Sequence, residues 1–148
     1  MSEYKLVTGC TVEDAAGIAK TNMSAFYEVP GWNIMWRHKD LPYLIDTVTK
    51  RYTHSLLTNR EVKRHEKVIH VPTGEIVGYS RWVLPESAQD AWLEAQTPDV
   101  SEEDREKYAQ RYKDTEFKPA HEGIKAITDE HHKDWKAKYL PEGPYIST

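Results

Sequence analysis

Cysteine is almost absent from this chain: Cys10 stands alone among 148 residues. A single thiol excludes a disulfide framework within one chain and suits a reducing compartment. Long apolar runs are lacking too. None approaches the length of about 18 residues that a membrane helix needs. The opening Met-Ser-Glu-Tyr-Lys has no apolar signal core. A soluble, cytoplasmic protein without a membrane partner is expected. Positive charge is not in excess: 20 Lys and Arg face 24 Asp and Glu, a net charge of −4. That argues against a nucleic-acid partner, which calls for a clustered basic face.

What is present suffices for one folded domain over 1–148. Hydrophobic residues make up 39% of the chain, with 5 Trp and 9 Tyr among them, enough to bury a core. Mean hydropathy is −0.77, so much of the surface must be solvated. Charge is uneven, +2 over residues 1–74 and −6 over 75–148. The second half is therefore expected to hold more solvated helix.

Residues 4–8 read as a first strand, broken by Gly9. Thr11, with Asp14 three residues on, resembles a capping box. Val12, Ala15, Ala16, Ala19, Met23 and Phe26 repeat at helical spacing, which predicts a helix over 12–27. Pro30-Gly31 is read as its stop, and the following Trp-Asn-Ile-Met-Trp as a loop. Asp40 caps a second helix, with Pro42 in its first turn. Leu41, Leu44, Ile45, Val48, Tyr52 and Leu56 mark its buried face. Residues 62–71 and 75–84 predict a hairpin around Pro72-Thr73-Gly74. The charges that open its first strand predict an exposed start. Residues 86–138 are expected to form three helical stretches divided by Pro98 and Pro119, with a clear start at Ser101-Glu-Glu-Asp. Pro144-Tyr145-Ile146-Ser147-Thr148 reads as the opening of another strand.

At Ile76-Val77-Gly78-Tyr79-Ser80-Arg81-Trp82 a family resemblance can be named. The segment resembles a hairpin strand of GNAT-type N-acetyltransferases, fungal members in particular, of the form (I/V)-(V/A)-G-(Y/W)-(A/S)-(R/K)-W. Trp92, the acidic stretch Ser101–Lys113 and the late Trp135–Ile146 segment are similar to that family's insertion and its approach to the central strand. The resemblance implies an α+β fold: the first half of a GNAT-like domain, with a short antiparallel sheet, flanking helices and a helical insertion over 86–138. The family binds the acetyl-CoA pyrophosphate with a Q/R-x-x-G-x-G/A loop at a helix N-terminus. None of the 7 glycines here has that spacing. No cofactor-binding residue is carried over, and no cofactor is assigned. Either the chain belongs to a longer protein or it is a truncated member. A sheet cut at its central strand leaves an edge open to pairing, so a homodimer through 144–148 is expected.

Trp32, Trp36, Tyr79 and Trp82 form the substrate-binding candidate, because the resemblance places the first interhelical loop and the hairpin on the acceptor side. Large rings also stack on flat ligands. Ordinary core packing is the competing reading, strongest for Trp82. For acid–base chemistry the candidates are His38, His132 and Glu122, with His54 and His121 behind them. Each is more simply a surface histidine or carboxylate. Cys10, just before a helix N-terminus, is a candidate for a lowered thiol pKa; an inert cysteine is the simpler account. His65 and His70 are separated by an odd number and point to opposite faces of a strand. Asp129 with His132 supplies too few ligands for a metal, and no metal is assigned. The functional expectation is a GNAT-related protein that binds or acts on a small molecule without acetyl-CoA-dependent transfer. The alternatives are cofactor-free chemistry on a small molecule, or a dimerising interaction module.

Overall fold

The computed structural model describes residues 3–120 and 132–139. Strand β1 (Tyr4–Thr8) leads through a 3₁₀ turn (Val12–Asp14) into α1 (Ala15–Tyr27). A short α2 (Pro30–Trp36) and the long α3 (Leu41–Leu57) follow, then the hairpin β2 (Lys63–His70) and β3 (Glu75–Val83). After two 3₁₀ turns, Glu86–Ala88 and Leu93–Ala95, comes α4 (Glu102–Asp114). The sheet is antiparallel, in the order β1-β2-β3. The fold class is α+β.

Local chemistry explains most boundaries. The Thr11 N–H donates to the Asp14 carboxylate at 2.8 Å, which supplies half of the capping box. The same carboxylate pairs with Lys67 of β2, so the start of the helical segment is tied to the sheet. Asp40 accepts from the Tyr43 N–H at 2.8 Å and caps α3. Ser101 accepts from the Asp104 N–H at 3.1 Å and caps α4. The buried face of α1 (Ile18, Ala19, Met23) packs on that of α3 (Leu44, Val48, Leu56); α1 lies against β3, and Tyr52 of α3 meets Tyr79 of that strand.

A bulge sets what the sheet presents to those helices. Val68 pairs with Gly78, but Ile69 pairs with Ile76, so Val77 has no partner. The extra residue resets the alternation. Ile76 and Tyr79, three apart, thereby both reach the helix side, where each packs on the Cys10–Ile18–Leu56 cluster.

Three expectations are corrected. Residues 30–36 form a helix, not a loop. Pro30 occupies the first helical position, where its missing N–H costs nothing, and Val29 before it is extended. The start of β2 is buried, not exposed: Arg64 and His65 are 0% and 1% accessible. They are adjacent, so they face opposite sides, and both sides are covered. The first third of the insertion is a pair of 3₁₀ turns rather than a helix. It folds back across the sheet, and Arg64 holds it there through backbone carbonyls. Residues 132–139 are helical. The strand expected at 144–148 lies outside the described residues.

Gly9 is the tightest point between the insertion and the first strand. Its φ is +86°, and a Cβ there would lie 2.9 Å from the Glu94 carbonyl oxygen. Gly9→Ala is expected to cost about 2 kcal/mol through left-handed backbone strain and this contact. A lowered urea midpoint checks it, and an unchanged midpoint would show that the insertion yields freely.

Candidate functional site

Helical packing leaves an open cleft of about 320 Å³ between α1, α2, α3 and the end of β3. Met23 and Phe26 of α1 form one wall. Trp32 and Trp36 of α2 form another, one helical turn apart, with ring centroids 5.5 Å from each other. Phe117, beyond α4, stacks on Trp36 at 4.0 Å. Arg51 of α3 continues the column: its guanidinium carbon lies 5.4 Å from the Phe117 ring centre and 3.8 Å from that of Tyr112. Arg51 also donates to the Tyr112 and Thr115 carbonyls, each at 3.4 Å.

The polar part of the cleft continues inward. Asn22 donates to the Tyr52 hydroxyl at 2.7 Å, and both line the cleft. The Tyr52 ring meets Tyr79 edge-on at 6.0 Å. The Tyr79 hydroxyl lies 2.9 Å from His65 Nδ1. Burial raises the pKa of both phenols, so both stay protonated, and the Tyr79 hydroxyl and His65 Nδ1 share one hydrogen bond. That leaves His65 Nε2 buried without a hydrogen-bond partner among the described residues. Burial, then the charges of Lys63, Arg81 and Arg64, lower the His65 pKa to about 4.

The four aromatic candidates are not one cluster. Trp32 and Trp36 line the cleft. Tyr79 sits behind it, against Tyr52. Trp82 lies on the other side of the sheet, where its indole N–H donates to Glu66 at 3.2 Å and its ring meets Trp92 at 6.4 Å. Tyr79 and Trp82 lie three residues apart in the regular part of β3, beyond the bulge, so strand alternation puts them on opposite faces. The same alternation places Arg81 on the cleft side, and sequence reasoning missed it. Phe117 had no local signal; its role comes from how the chain returns after α4.

Among the described residues the acid–base candidates do not converge. His38 stacks on Trp36 at 6.3 Å and borders a separate surface hollow with Lys39 and Lys118. His54 hydrogen-bonds to the Thr58 hydroxyl at 3.4 Å and packs on Tyr112. His132 is exposed on the segment 132–139. His121, Glu122 and Asp129 lie outside the described residues. Cys10 is 1% accessible, and burial and then Asp14 push its pKa up to about 12. It is a core thiol, in line with the simpler account of an inert cysteine: desolvation of the thiolate outweighs the nearby helix start. His65 and His70 face opposite sides, and His70 pairs with the Thr73 hydroxyl at 2.8 Å. Among the described residues no three His, Cys, Asp or Glu side chains are grouped to hold a metal ion. No described helix is long and apolar enough to cross a membrane.

Compared with protein families, curated proteins and solved structures, the chain matches none.

Proposed function

We propose that this chain is a small-molecule-binding α+β domain of GNAT-like ancestry, whose ligand occupies the Trp32–Trp36 cleft and is not acetyl-CoA. The observation that carries the reading is the aromatic column Trp32–Trp36–Phe117 on the wall of an open cleft. Trp36, 7% accessible, is held between Trp32 and Phe117, and it fixes the half-buried Trp32 as the apolar ring surface that a planar ligand covers at little conformational cost. The ancestry is supported by the residue pattern 76–82 and by an element order of strand, helices and hairpin. The cleft lies between the first helices and the hairpin, where the resemblance implies an acceptor molecule.

Thermal melting tests this. A neutral bicyclic probe, 2-naphthalenemethanol, is expected to raise Tm, since a ligand at a hundred times its Kd stabilises the native state by about 2.7 kcal/mol. Acetyl-CoA is expected to leave Tm unchanged. Trp32→Ala, at a half-buried position, is expected to remove the response to the probe. A rise with acetyl-CoA, or none with the aromatic probe, would overturn the reading. A second reading, a dimerising module, is favoured by the outer edges of β1 and β3, which pair with no strand among the described residues. Melting that rises with protein concentration and ignores both ligands would support it.

A further inference from the structure

The charges around the cleft are of one sign. None of its lining residues is acidic, and two of them are Arg51 and Arg81. Lys63 stands beside them, donating to the carbonyl of the lining residue Ser55 at 3.3 Å. Burial, then the Arg81 charge, lower the Lys63 pKa, which places these two cations close together. The arginines differ in what they have left to offer. Arg51 is spent on two carbonyls and two aromatic rings. Arg81 makes no hydrogen bond and no ion pair among the described residues. It is exposed, at the mouth, at the end of β3.

An unpaired guanidinium beside an apolar aromatic slot is half of a recognition unit. The fork of N–H donors suits a carboxylate and binds it in bidentate fashion. The slot takes a flat apolar body. A protonated amine in the same place would meet the two lining arginines and no lining carboxylate, at a cost that grows in a partly desolvated cleft.

We propose that the ligand of this cleft is an aromatic or alicyclic carboxylate, with its ring system against Trp32 and its carboxylate on Arg81. The inference rests on the reading of the cleft as a small-molecule site. It narrows that reading from a neutral or amine-bearing molecule to an anion.

Isothermal titration of the full chain with three probes of one shape tests it: 2-naphthoate, 2-naphthalenemethanol and 2-naphthylmethylamine. Naphthoate is expected to bind roughly tenfold or more tighter than the alcohol, the margin of one charge-assisted bidentate contact, and the amine weakest. Arg81→Gln is expected to erase the margin of naphthoate over the alcohol, with both probes then binding within about twofold of each other. Equal binding of naphthoate and alcohol, or a margin that survives Arg81→Gln, would overturn the carboxylate assignment and leave the cleft reading standing. Tightest binding of the amine would overturn it in favour of a cationic ligand. Binding of none of the three would remove the cleft reading itself.

Discussion

Replacing Arg64 by methionine is expected to lower stability by about 3 kcal/mol and to release the 86–97 segment from the sheet. Arg64 is 0% accessible and has no carboxylate partner among the described residues. Its guanidinium instead donates to backbone carbonyls: Nε to Ala91 at 2.9 Å, Nη1 to Arg60, Glu61 and Lys63 at 3.2, 3.2 and 2.8 Å, and Nη2 to Gln89. The Ala91 and Gln89 oxygens belong to the insertion; the others lie in the turn before β2 and at its first residue. One side chain thus closes two loops onto the strand. Methionine is apolar and similar in length, so little packing volume is lost. What goes is the donor set, and carbonyls left buried without donors cost about 1–3 kcal/mol apiece. The gain from no longer burying a charge offsets part of that, which is why the expected sum is about 3 rather than larger. A urea titration reads the total, and amide hydrogen exchange locates it: protection should fall first around residues 88–96. A variant as stable as the parent would mean that the cost of burying the charge cancels the bonds. Uniform loss of protection would mean that Arg64 does not tether the insertion.

The second large effect is a loss of stability in mild acid. Unfolded, His65 titrates near its ordinary value of 6.5; folded, its pKa is about 4. The folded state therefore refuses a proton that the unfolded chain accepts. Above pH 6.5 neither state carries it, and the group contributes nothing to pH dependence. As pH falls from 6.5 to 4 the unfolded chain gains the proton and folding weakens. Below about 4 the folded state takes it too, and the loss stops growing. The difference corresponds to about 3 kcal/mol at 1.36 kcal/mol per pH unit. The cause is burial first, then the cations Lys63, Arg81 and Arg64; Nδ1 is engaged with Tyr79, and Nε2 has no hydrogen-bond partner among the described residues. His54, less deeply buried, shifts in the same direction and adds to the effect. In His65→Gln, which keeps a hydrogen-bonding group for Tyr79, most of the loss between pH 6.5 and 4 should vanish. Parallel stability–pH curves for parent and variant would show that acid acts elsewhere.

The elements were largely legible in the sequence. Asp40 and Ser101 announced α3 and α4 because capping is a local bond between a side chain and a backbone two or three residues away. The hairpin was legible for the same reason. The short helix at Pro30 was misread because proline stops one helix and starts another with equal ease, and only the chain's path after Tyr27 distinguishes the two. Half of the site was legible: Trp32 and Trp36 stood out as large rings. Arg81 was within reach of strand alternation, whereas Phe117 and the partnered state of Arg51 depend on contacts more than 60 positions apart.

By itself the sequence determined periodicity, caps and turns, and with them an α+β chain with a hairpin, because these depend on neighbours within about one helical turn or one strand pair. Only the tertiary structure decided which surfaces were covered. Charges at the head of β2 suggest solvent to any local reading. Arg64 and His65 are buried because helices close one side of that strand and the insertion closes the other, and whether a face is covered is a property of what packs on it, not of its own residues.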